Sequence, residues 1–256
     1  DRGLELIEQY HDGNTRGWVI WDTEGRFTYA DGYLRGQWPW IPVDQPGVLI
    51  VLKEGVAYVL TDGFKTTPVK PLAVHAAGSS ELEVDGRVDV CFESQKGYQR
   101  TIAKLRCYGS ALLVGVAAAA LEYSTAYARE RVVFGKPVAH HQGIAFLIAE
   151  LATRLEGARL NLWRAANAVE KEGDPCEAAA SAFYGAIETA AEVGEQSVQM
   201  MGGHGYMQDH PVEKWMREAK TVSQCWGGSM LAVDDMATMS TGVKLTGGFE
   251  LPEWAN

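Results

Sequence analysis

The chain has 256 residues, a formal net charge of −10 and 46% hydrophobic residues. That suffices for a sizeable core in one large or two small domains. The acidic balance argues against nucleic acid or an anionic membrane surface as a partner, since both reward basic patches. Four scattered cysteines (Cys91, Cys107, Cys176 and Cys225) show no CxxC and no Cys/His ligand spacing, so neither a disulfide framework nor a metal site is expected.

Asp1 to Gln9 reads as a short helical piece. From Gly17 to Val90 short β-rich runs alternate with glycine turns: WVIWD, RFTYA, YLRGQW, VLIVL, VAYVL and ELEVDG. Asp-Gly and Glu-Gly pairs between them are hairpin signals. Pro39, Pro42, Pro46, Pro68 and Pro71 keep the loops irregular. A small antiparallel barrel or sandwich fits this pattern.

From Ile102 the chain turns helical. Ile102 to Arg131 is rich in Ala, Leu and Val and free of proline. A second helix is expected from about Val138 to Glu172, roughly 50 Å long. Gly173, Asp174 and Pro175 break it, a third helix runs to about Met201, a fourth starts near Pro211, and a last covers about Ser223 to Met239. Long helices with short connectors imply an antiparallel bundle. The expected class is α+β, mainly α, with a reduced antiparallel β domain over 1–98 and a four- or five-helix bundle with a tail over 99–256. No signal peptide is visible at the start and no uninterrupted apolar run reaches the ~18 residues of a membrane span, so a cytoplasmic protein is the default.

The stretch from Gln199 to Lys220 carries the strongest signal. Gly202 and Gly203 stop a helix, Gly205 allows a second sharp turn, and Asp209 or His210 can cap the helix that Pro211 opens. Such a turn brings backbone N–H groups to a surface and suits a phosphate-bearing ligand. Taken alone, a plain helix–helix connection is the commoner meaning. Arg131, Phe134 and Gly135 pair a cation with a tight turn; the arginine fork suits a pyrophosphate, and a solvated arginine at a helix C-terminus is the plain alternative. His140 and His141 are adjacent, point in different directions and lack a completing ligand. His204 reads as a loop residue.

In order and spacing these motifs resemble the acyl-CoA dehydrogenase family. Its Q-x-x-G-G-x-G-[YF] turn is matched by Gln199 to Tyr206, and its P-V-E-[KR]-x-x-R-[DE]-A-K segment by Pro211 to Lys220. Its R-x-x-F-G signature is matched by Arg131, Phe134 and Gly135, and the following helix start by Gln142 and Ile144. The run Gly36 to Ile41 sits where the family has a G-x-K-x-x-[VI] strand, and its T-E-P-x-A-G-S-D stretch has no counterpart. The family's N-terminal helical domain has none either. The resemblance implies FAD as cofactor, with Arg131, Phe134, Gln142, Gln199, Gly202 and Gly203 reaching it across a subunit interface, and Arg106 beside the acyl-CoA channel. The family's catalytic glutamate falls at one of two positions, occupied here by Trp226 and Leu105, and neither can accept a proton. The resemblance therefore implies a non-catalytic subunit of a heteromeric α2β2 dehydrogenase, paired with a homologue that carries the glutamate. Its substrate is an acyl-CoA thioester, such as a steroid side-chain ester. Two other readings stand beside it: a self-sufficient enzyme using Glu122 or Asp234 as base, and a structural or regulatory protein without flavin.

Overall fold

The computed structural model describes residues 15–242; the expected helix at 1–9 and the tail after 242 lie outside the described residues. The chain divides into two compact units, Asp1–Thr101 and Ile102–Asn256.

The first unit is a β-sandwich. Eight strands, β1 (Gly17–Trp21), β2 (Phe27–Ala30), β3 (Tyr33–Ile41), β4 (Val48–Lys53), β5 (Val56–Leu60), β6 (Phe64–Pro68), β7 (Ser80–Arg87) and β8 (Val90–Glu93), form two four-stranded sheets. One sheet has the order β1-β4-β5-β8 and the other β2-β3-β7-β6. Asp31 and Gly32, then Glu54 and Gly55, adopt positive φ at the tips of the β2–β3 and β4–β5 hairpins. This is the turn whose twist matches that of the strands. Side chains from both sheets, including Ile20, Phe27, Leu34, Leu49, Val51, Leu60, Leu82 and Val84, close one core. Alternation is plainest in β7, whose Ser80, Leu82, Val84 and Gly86 are buried while their neighbours face water.

The sandwich differs from the expectation in three respects. β1 pairs with β4 in parallel, against an otherwise antiparallel set. Pro39 lies inside β3, at an irregularity in its pairing with β7 between Trp38 and Ile41, where the missing N–H has no ladder bond to break. Strands β6 and β8 carry no strong apolar alternation, and both are sheet edges.

The second unit contains the bundle helices. They are α1 (Gln95–Glu130), α2 (Gln142–Glu170), α3 (Cys176–Met201), α4 (Val212–Val222) and α5 (Gly228–Thr241). Helix α1 starts earlier than expected because Ser94 caps it, its Oγ accepting the Gly97 N–H at 3.0 Å. Asp174 does the same for α3, accepting the Cys176 N–H at 2.9 Å. By length and composition alone α1 is apolar enough to cross a membrane, although Glu122 interrupts its apolar run. In the fold its Leu113, Val114, Ala117, Ala120 and Leu121 join the bundle core with Leu151 and Leu155 of α2 and Phe183, Ala186, Ala190 and Val193 of α3.

Helix directions follow from side-chain pairs. Arg154 and Asn161 of α2 meet Glu192 (2.8 Å) and Ser181 (3.1 Å) of α3, so a rising number on one helix meets a falling one on the other. The two are antiparallel. Ser124 of α1 donates to Ser197 of α3 at 3.2 Å, and Gly109 lies against Phe183, so α1 and α3 run parallel. The buried serines and alanines along this contact let the two backbones come close.

Candidate functional site

The register sets where each helix ends. The C-termini of α1 and α3 and the N-terminus of α2 fall at one end of the bundle. Arg131 follows α1 directly and its N–H donates to Tyr127 O at 2.9 Å. A small hairpin, β9 (Val132–Val133) and β10 (Lys136–Pro137), then leads to α2. Its two-residue turn is Phe134–Gly135, with φ of 52° and 82°. Phe134 is 93% exposed and its ring meets His141 edge-on at 6.3 Å. His141 Nε2 lies 3.0 Å from Val133 O, tying the hairpin to the start of α2.

Gln142 is the exposed first residue of α2, and His141 before it provides no side-chain cap. The first-turn N–H groups therefore keep their partial positive charge at this end. On α3, Gln199 is exposed and its carbonyl accepts the Gly202 N–H. Gly202 has φ of 58° and opens a 3-10 turn, Gly202–Tyr206. Gly203 is exposed with nothing within 4 Å of where a Cβ would stand. Gly205 is a different case: its φ is ordinary, and a Cβ there would run into the Val198 carbonyl. It is glycine for closeness, not for a sharp second turn. Asp209 and His210 do not cap α4; Pro211 stands at the N-cap without a side-chain bond.

Two tyrosines that no motif singled out hold this turn in place. Tyr127 Oη is 3.2 Å from His204 Nδ1, and Tyr123 Oη is 2.9 Å from His210 Nδ1. Their spacing of one helical turn on α1 was the available signal. His204 is thus a tethered residue of the turn. Inside the next helix Arg217 is held by Glu213 through two bonds of 2.8 and 3.1 Å.

The bundle end fits an anionic, phosphate-bearing group. Arg131 is exposed and carries no ion pair among the described residues, the α2 N-terminus is uncapped, and Gly203 leaves its backbone approachable. Arg106 is another matter. Its residue is 1% exposed, and its NH1 lies 2.6 Å from Asp235 of α5. It joins helices inside the bundle.

Trp226, which the sequence sets at an expected base position, is buried and held at φ 49°, ψ 45°. Its indole lies over Gly109 of α1, where a Cβ would come within 3.1 Å of Cζ3, and meets Tyr108 edge-on at 5.8 Å. Leu105 is half-buried on α1. Of the alternative bases, Glu122 is exposed on α1 and Asp234 is buried on α5. Burial, reinforced by Asp174, pushes the Cys176 thiol up to about 12, and burial does the same to Cys225. Both stay protonated at neutral pH and are no nucleophiles.

A β-sandwich followed by a bundle of long helices is an architecture shared with solved acyl-CoA dehydrogenases. Residues 97–237 match the family described as "Acyl-CoA dehydrogenase, C-terminal domain". The chain belongs to the acyl-CoA dehydrogenase family. It is 36% identical over 168 residues to an acyl-CoA dehydrogenase of Bacillus subtilis, covering 62% of this chain and 44% of that protein. It is 39% identical over 155 residues to the cyclohex-1-ene-1-carbonyl-CoA dehydrogenase of Syntrophus aciditrophicus, covering 58% and 36%. The chain thus spans less than half the length of these relatives. Its fold is that of butyryl-CoA dehydrogenase from Megasphaera elsdenii, with a TM-score of 0.79 at 24% identity over 92% of this chain and 70% of that one.

Proposed function

We propose that this chain serves the FAD-dependent α,β-dehydrogenation of an acyl-CoA thioester as a subunit that lends cofactor contacts to a homologue carrying the catalytic glutamate. The observation that supports this reading is the gathering of Arg131, Gln142 and the Gly202–Gly203 turn at one exposed bundle end, while Trp226 fills the base position. FAD is the family's cofactor, and when bound it supplies the hydride acceptor. Arg131 would offer its fork to a phosphate, and the α2 N-terminus and the Gly202–Gly203 turn would offer backbone N–H groups. Gln142, Gln199 and the exposed Phe134 complete the contact set. All of these face away from the bundle core, which suits a cofactor shared with a second subunit in an α2β2 assembly.

The base is the partner's contribution in this reading. Proton abstraction alpha to the thioester needs a carboxylate, and an indole N–H only donates. The substrate is an acyl-CoA; a bulky steroid side-chain ester is the finer proposal, and a panel of CoA esters offered to the assembled complex tests it. Exclusive use of short linear esters would count against the steroid ester.

The purified chain alone should show no acyl-CoA dehydrogenation with an artificial electron acceptor, and it should gain flavin absorbance and turnover on mixing with a glutamate-bearing homologue. Turnover by the lone chain would favour Asp234 or Glu122 as a base. Absence of flavin from every assembly would favour a structural role.

A further inference from the structure

Two histidines that are separate in the sequence stand together beside the glycine turn. His204 O accepts the Met207 N–H at 3.2 Å, and Met207 O accepts the His210 N–H at 3.0 Å. These two consecutive turns fold the segment back on itself. The two imidazole rings come to 5.7 Å between centroids, at 78° to each other. His204 is exposed and His210 half-buried, so the pair is reachable from solvent.

The hydrogen bonds leave one nitrogen of each ring available. Tyr127 Oη is 3.2 Å from His204 Nδ1, and Tyr123 Oη is 2.9 Å from His210 Nδ1. Both Nδ1 atoms are thus tethered to α1. Nε2 lies across the ring, so both Nε2 atoms are directed away from these tyrosines. Neither has a hydrogen bond among the described residues. A ring whose Nδ1–H donates to a fixed oxygen while Nε2 stays unprotonated is oriented as a metal-ligating histidine ordinarily is.

The spacing fits one shared cation. A zinc–nitrogen bond of about 2.0–2.1 Å puts the ring centre about 3.2 Å from the metal. Two imidazoles on one metal then stand about 5.2 Å apart at the tetrahedral angle and about 6.4 Å apart when opposed. The observed 5.7 Å lies between these limits. Edge-on aromatic packing gives similar distances, but it does not require both Nδ1 atoms to be held by the same helix. No group of three His, Cys, Asp or Glu side chains among the described residues could hold a metal, so water fills the remaining positions. Imidazole donors select zinc, copper or nickel over calcium and magnesium. Asp209, exposed beside His210, and the net charge of −10 favour the arrival of a cation.

We infer that His204 and His210 form a two-imidazole site for a divalent transition metal of the zinc type. The metal would tie the glycine turn to the segment that leads into α4. The site does not rest on the FAD reading.

Isothermal titration of zinc chloride into the whole chain, stripped with chelator and carrying Cys91→Ser to remove the exposed thiol, should show saturable uptake of one zinc per chain at micromolar free metal. His204→Gln and His210→Gln should each weaken uptake at least about tenfold, since even losing a group that orients a ligand costs ten- to a hundredfold. Helical circular dichroism should not change, and His140→Gln should bind zinc like the parent. Zinc should also raise the melting temperature of the parent and of neither glutamine variant. Pulsed electron paramagnetic resonance of the copper(II) form should show two imidazole nitrogens in the parent and one in each variant. No saturable uptake, uptake indifferent to both glutamine substitutions, or a copper spectrum with a single imidazole in the parent would overturn the proposal. So would loss of the site in His140→Gln.

Discussion

Replacing Arg106 by alanine should destabilise the helical unit by about 3–5 kcal/mol, the range for truncating a large buried side chain and leaving a cavity. The guanidinium is 1% exposed, 2.6 Å from Asp235 of α5. Asp235→Ala should also destabilise, because it removes a carboxylate 2.6 Å from a charge that cannot reach water. Arg106→Met should cost much less, about 1.5 kcal/mol or below. The thioether fills most of the volume, and Asp235, whose side chain is 34% exposed, can turn to solvent. Denaturant midpoints at constant m-value read all three. Equal losses in the methionine and alanine variants would show that charge, not volume, sets the effect. A loss of substrate affinity with stability unchanged would return Arg106 to the acyl-CoA channel.

Trp226→Ala should cost about 3–5 kcal/mol, as for other large aromatic truncations in a core. The indole closes the surface over Gly109 and beside Phe183, and neither neighbour can move in to fill the space. Trp226→Gly should be less harmful than alanine by roughly 1 kcal/mol, because φ of 49° strains any residue with a Cβ. The alanine–glycine order is the sharper check, since it inverts the usual ranking. Thermal unfolding of the two variants side by side decides it.

The helical part of the fold was legible because its signals are local. Prolines, Gly173 and the Gly202–Gly203 pair punctuate long Ala/Leu-rich runs, and those breaks are where the helices end. The Asp-Gly and Glu-Gly turns marked two hairpins for the same reason. Strands β6 and β8 escaped because edge strands need not bury a face: Lys65, Thr67 and Pro68, then Cys91, Phe92 and Glu93, are all exposed. Parallel pairing of β1 with β4 escaped because alternation carries no direction. Residues 95–101 are polar and include Gly97, so only the Ser94 cap announced that α1 begins there.

At the site, short motifs identified Arg131, Gln142 and the glycine turn, and helix register brings them to one end. The supports of that end were hidden. Tyr123 and Tyr127 reach His210 and His204 across 87 and 77 residues, and Arg106 finds Asp235 only through the packing of α1 on α5. No periodicity within a helix can announce a partner on another. The sequence singled out Trp226, but did not show that Gly109 makes room for its ring.

The central claim is that the bundle end carrying Arg131 is a cofactor contact. Its most direct test is an FAD titration of Arg131→Ala against the parent, with the chain mixed with a glutamate-bearing homologue and assembly followed by light scattering. The account predicts weakening by about ten- to a hundredfold, the equivalent of a charge-assisted hydrogen bond, with assembly unchanged. Unaltered FAD affinity and stoichiometry in that variant would contradict it.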